Sequence, residues 1–142
     1  MVKIIFESRR TRPASYPQII NPTAIKFSQS SVNGPKDVEI TESMKKHGWL
    51  KNKDIDVVKM ADGTLISVDN KRVLAASRAG IDVRAKVRFG DEKLSSEMAI
   101  RFTTREGTPT TWGEAIRFRI NNQKKLYRET YPNGSYVTGS TH

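Results

Sequence analysis

At 142 residues the chain is long enough to bury one core and too short for two ordinary domains. It has no cysteine, which excludes disulfide frameworks, thiolate zinc sites and cysteine nucleophiles, and its two histidines, one of them the last residue, are too few for an imidazole-rich nuclease centre. The 25 Lys and Arg against 15 Asp and Glu leave a net charge of +10, which favours nucleic acid, nucleotides, an anionic membrane face or an acidic protein as partner; the plain alternative is solubility of a small basic domain.

No run approaches the roughly 20 apolar residues needed to span a bilayer, so no membrane insertion is expected. Met1 to Phe6 carry a few apolar side chains ahead of Glu7, Arg9, Arg10 and Arg12, the wrong order for a secretory signal. The stretch to Pro22 holds Pro13, Pro17 and Pro22 with arginines between them and reads as a linker or loosely docked arm, leaving one domain over 23–142. Ile25 and Phe27 alternate with Lys26 as on a half-buried strand, and Ser28 to Lys36 is a loop. Asp37 caps a helix of about three turns carrying Ile40 and Met44, which Gly48 ends after His47. Ile55, Val57 and Val58 make a strand, Ala61-Asp62-Gly63 a hairpin turn, and Leu65 to Val68 the returning strand. Val73, Leu74, Ala76 and Ala79 give a short helix from Lys71 to Ala79 closed by Gly80, and Ile81 to Phe89 alternates as a strand.

Beyond Gly90 the pattern is weaker: a helical turn within Asp91 to Met98 and a short strand over Ile100 to Thr104 are expected. Thr111 with Glu114 makes a capping box, after which Trp112, Ile116, Ile120 and Gln123 line one helical face, with arginines on the wet face. Pro132-Asn133-Gly134 ends the regular structure of a C-terminal helical extension over 111–130. The expected class is α+β: a small mixed sheet flanked by helices, core 27–88, with an added C-terminal helix.

Chemistry concentrates where the strand ending at Val68 gives way to a helix through Asp69, Asn70, Lys71 and Arg72. Amides at a helix start lack internal partners, and two cationic side chains beside them make a natural phosphate receptor. In the plain alternative, Asp69 or Asn70 caps the helix and the two bases solvate its first turn, although the dipole disfavours bases there.

The residues Lys45-Lys46-His47-Gly48-Trp49-Leu50, Ile55-Asp56-Val57-Val58 and Ser67-Val68-Asp69-Asn70-Lys71-Arg72-Val73-Leu74-Ala75-Ala76-Ser77-Arg78-Ala79-Gly80-Ile81 carry a likeness. The stretch Val38 to Val87 resembles the N-terminal domain of ParB-type proteins, in which a Gly-Glu-Arg-Arg-type box opens an alanine-rich helix. The resemblance implies a ParB/sulfiredoxin-like fold, with Gln29, Ser30 and Ser31 on a loop that joins Lys71 and Arg72 in binding phosphate. The box departs from the family at Asp69, Asn70 and Leu74, and only Lys71 and Arg72 carry over; an Asp69 carboxylate repels a triphosphate unless a cation intervenes. No helix-turn-helix segment follows the core, and sulfiredoxin's cysteine is missing.

With Thr111-Trp112-Gly113-Glu114-Ala115-Ile116, this variant of the box also resembles C-terminal toxin domains of bacterial polymorphic toxins, including Rhs-type effectors. That resemblance implies an antibacterial effector acting in a target-cell cytoplasm, silenced in the producer by an immunity protein, here expected to be acidic. The leading expectation is a monomeric nuclease: Asp69, Asn70, Lys71 and Arg72 work at the scissile phosphate and His47 is the available general base. Asp56 and Asp69 are weak candidate ligands for Mg2+ or another divalent metal. Trp112 stacking on a base and Arg117 pairing with phosphate are secondary, the helical spacing of Trp112 favouring a core role. Nucleotide-dependent group transfer and a non-enzymatic DNA-binding module are the alternatives.

Overall fold

The computed structural model describes residues 17–31, 37–49 and 53–137. Among them a five-stranded mixed sheet and five α-helices form an α+β fold. The strands are β1 (Pro17–Ile20), β2 (Ile25–Lys26), β3 (Ile55–Lys59), β4 (Leu65–Ser67) and β5 (Val83–Phe89), in spatial order β1-β5-β3-β4-β2. The β3–β4 hairpin and the β1–β5 pair are antiparallel, whereas β2–β4 and β3–β5 are parallel. The helices are α1 (Asp37–His47), α2 (Asn70–Ala79), α3 (Ser96–Arg101), α4 (Trp112–Asn121) and α5 (Lys125–Thr130).

Strand alternation splits the core between the two faces of the sheet. Ile55 and Val57 of β3 point to the face where Met44 of α1 and Val73, Leu74, Ala75 and Ala76 of α2 pack. Val58 and Ile66 point to the other face, against Trp112, Ala115, Ile116 and Ile120 of α4 and against Phe102. The sheet is thus a middle layer between α1/α2 and the C-terminal helices.

Local chemistry explains the elements. Asp62 takes the Thr64 N–H and hydroxyl at 3.0 and 2.7 Å, and Gly63 sits at φ 87°, which closes the hairpin. Gly48 and Gly80 adopt φ 64° and 73° at the ends of α1 and α2, the left-handed cap that glycine supplies cheaply. The first turn of α4 lies against the end of β5: the Gly113 N–H donates to the Gly90 carbonyl at 2.9 Å.

Four expectations need correction. Order begins before Pro22: Pro17–Ile20 is an edge strand bonded to β5, with Pro17 at its first position, where a missing N–H costs the ladder little, and Pro22–Ala24 is a 3-10 turn. The rest of the proposed arm, 1–16, lies outside the described residues, as do 32–36 of the loop, Leu50 of the ParB-like stretch and the tail from 138. Ile100 to Thr104 is not a strand: Ile100 and Arg101 close α3, which Ser95 caps by accepting from the Met98 N–H at 3.2 Å. The C-terminal extension is two helices, because the chain breaks at Asn122-Gln123-Lys124. In the capping box Thr111 accepts from the Glu114 N–H at 3.2 Å, but the Glu114 carboxylate reaches past Thr111 to the Thr110 N–H and hydroxyl, both at 2.8 Å.

Candidate functional site

The β4–α2 turn is built as the sequence suggests and occupied differently. Asp69 is the N-cap of α2: its carboxylate accepts from the Arg72 N–H at 3.4 Å and pairs with the Arg72 guanidinium at 3.5 Å. The helix start therefore already faces a carboxylate of its own chain, which is the arrangement the dipole favours. Asn70 is buried and saturated: its carbonyl accepts from the Ser28 N–H at 2.9 Å, and its amide donates to the Ser28 hydroxyl at 3.1 Å and the Gln29 carbonyl at 2.9 Å. The Ser28 hydroxyl in turn donates to the Ser67 carbonyl at 2.7 Å. Asn70 is thus a clamp on the loop after β2, and its expected role at a scissile phosphate is corrected to that. Lys71 is exposed and Arg72 partly so, both on the outside of the turn.

The same loop is gripped from the other side by Gln123. The Gln123 amide donates to the Ser28 carbonyl at 2.7 Å and the Arg119 carbonyl at 3.1 Å, while its own carbonyl accepts from the Ser30 N–H at 2.7 Å. Two buried-side amides thereby fix Ser28 to Ser31 between the start of α2 and the end of α4. Gln29, Ser30 and Ser31, expected together in phosphate binding, line one cavity of about 380 Å³ with Arg101, Phe102, Thr103, Thr104, Arg119, Asn122 and Gln123. It lies where the parallel strands β2 and β4 deliver their carboxyl ends, the usual ligand position in open sheets with crossovers.

The electrostatics of this cavity are one-sided. Arg119 donates to the Val68 carbonyl at 2.7 Å and lies 4.7 Å from the centre of the Phe102 ring; Arg101 lies 5.3 Å from the same ring. No carboxylate is among the lining residues, and among the described residues neither guanidinium has an ion-pair partner. Burial, and then the like charge of Arg101, push the Arg119 guanidinium down to about 10, with Asp69 pulling the other way. Arg119 remains cationic at neutral pH, in a setting where its charge is poorly screened.

The remaining candidates are held elsewhere. His47 is exposed at the end of α1 and lines a separate shallow depression with Glu42, Ser43, Lys45 and Lys46, so the expected general base does not face the cavity. Asp56 is bound by Arg88 at 2.9 Å, and Arg88 also reaches Glu92 at 3.3 Å. Among the described residues no three His, Asp or Glu side chains are grouped to hold a metal, so neither Asp56 nor Asp69 belongs to such a group. Trp112 is buried in the α4 face of the core, edge-on to Phe102 at 6.5 Å and covered by Arg88 at 5.2 Å, which leaves no face for a nucleobase. Arg117 is exposed at the hairpin end of the sheet, beside a second cavity lined by Met60, Phe89, Gly90 and Gly113, away from the β4–α2 turn.

No family model and no curated protein matches the sequence. The site is accordingly defined by its own chemistry.

Arg101 and Arg119 are the residues that sequence reasoning missed. The helical pattern puts Arg119 with the arginines of the wet face, yet it lies three residues after Ile116 and four after Ala115, flanking the buried stripe. That spacing was a usable signal. Arg101 carried none, because its approach to Phe102 and the cavity depends on how α3 docks.

Proposed function

We propose that this chain is a ParB-like antibacterial effector domain that seizes nucleic acid by its phosphates and cleaves it in the target-cell cytoplasm. The observation that carries the reading is the cavity in which two arginines converge without a lining carboxylate, beside the turn that the ParB-like resemblance singles out. A cationic site with no carboxylate in its lining calls for an anionic ligand, and a net charge of +10 draws polyanions to the whole domain. In this reading Lys71 and Arg72, outside the cavity, hold flanking phosphates of the same strand. The likeness to polymorphic-toxin domains supplies the biological setting: delivery into a competitor, with an acidic immunity protein covering the basic face in the producer. Among the described residues no helix is long and apolar enough to cross a membrane.

The reading is tested by inducible expression in bacteria, with nucleoid, RNA and nucleotide pools followed soon after induction. Purified protein is assayed on plasmid and total RNA with magnesium or chelator. Loss of DNA or RNA integrity, abolished by Arg119→Gln or by Lys71→Ala with Arg72→Ala, supports the nuclease. Salt-sensitive binding with no turnover in either metal condition replaces it with a binding module.

A further inference from the structure

Resting on the polyanion reading above, we propose that the Arg101–Arg119 cavity takes a phosphate monoester dianion, the terminal phosphate of a strand or nucleotide, rather than an internal diester.

Charge matching is the first argument. The lining carries two guanidiniums and no carboxylate. A diester brings one negative charge per phosphate, whereas a monoester brings about −1.5 to −2 near neutral pH. Both guanidiniums lie near one ring, Phe102, at 5.3 and 4.7 Å, and the like charge of Arg101 opposes that of Arg119, an opposition that a dianion offsets more than a monoanion.

Donor supply is the second. A monoester exposes three acceptor oxygens. Arg119 spends one N–H on the Val68 carbonyl and keeps the rest of its fork, and Arg101 donates to no protein acceptor among the described residues. Across from them, the Ser30 and Ser31 hydroxyls make no hydrogen bond among the described residues. Asn70 holds the Gln29 carbonyl, which orients that side chain and leaves its amide N–H groups as further donors. The loop bearing all three is fixed by Asn70 and Gln123, so the donors are arranged before any ligand arrives.

Size is the third. A cavity of about 380 Å³ lies at the low end for ligand sites, room for one nucleotide-sized group rather than a length of strand.

The experiment compares binding of the whole chain to short oligonucleotides that differ only in a terminal phosphate or hydroxyl, at the 5′ and then the 3′ end, and to AMP against adenosine. Phosphorylated ligands should bind at least about tenfold tighter. Arg101→Gln, at an exposed position, should remove most of that preference with circular dichroism unchanged. A preference confined to strands assigns the source to nucleic-acid ends; one shared by AMP assigns it to nucleotides. Equal affinities in every pair overturn the proposal and leave the polyanion reading standing. A chain that binds no strand at low salt yet separates AMP from adenosine keeps the cavity assignment and overturns that reading instead.

Discussion

At Asn70 a side chain that reads as part of a phosphate box turns out to be spent on the loop after β2. Asn70→Ala leaves the buried Ser28 N–H without its acceptor and should cost about 1–3 kcal/mol in chemical denaturation, whereas the exposed Lys71→Ala should change stability by no more than about 0.5 kcal/mol. Tyr127 shows the reverse case: its hydroxyl is buried with no hydrogen-bond partner among the described residues, and burial, then the neighbouring Tyr131, push it up to about 12. Because the folded value lies above the usual one, the neutral form's stabilisation is complete below about pH 10 and lost as pH rises towards 12. Tyr127→Phe should therefore keep or raise stability near neutrality and flatten the alkaline loss, read as the change in midpoint with pH. Glu114 has the opposite sign. The Thr110 N–H and then its hydroxyl hold the carboxyl below the usual range, so its contribution is present above the unfolded value and lost as pH falls through the folded one. Glu114→Gln should remove that acid-side slope. The asparagine's partners, 41 and 42 residues away, are invisible in a local reading.

Elements dock here through close approaches that composition does not announce. A Cβ at Gly113 would sit 2.9 Å from the Gly90 carbonyl oxygen, a backbone atom that cannot swing aside, so Gly113→Ala should cost about 1–3 kcal/mol by forcing α4 off the end of β5. Gly80→Ala is opposed for a different reason: nothing lies within 4 Å of the added Cβ, and only the φ of 73° stands against alanine, at about 1–2 kcal/mol. Thermal unfolding of the two variants separates the causes, since only Gly113→Ala should also disturb the near-ultraviolet signal of Trp112 beside it. The helices α1, α2 and α4 and the β3–β4 hairpin were legible because periodicity, caps and turn residues agree within each segment. β1 was not, because it is four residues that open on Pro17 and stop short of Pro22, and their pairing with β5 exists only when the sheet closes. The break after α4 was not either, since Gln123 continues the helical spacing and leaves the helix to bond Ser28 and Ser30.

Over the whole molecule, the excess of positive charge sets how it meets its partners more than how it folds. Affinity for single-stranded nucleic acid should fall linearly on a log–log scale with salt, and Lys71→Ala with Arg72→Ala should reduce that slope by about 1–2 with circular dichroism unchanged. Capture by an acidic inhibitor should slow with salt in the same manner. Class, hairpin, two caps and the basic balance were determined by the sequence alone, because each depends on neighbours along the chain or on totals that folding does not change. Which cations share a cavity was decided only in three dimensions. Lys71 and Arg72 stand together in the sequence and point outward, whereas Arg101 and Arg119 are apart in sequence and meet across Phe102 because α3 and α4 pack on the same face of the sheet.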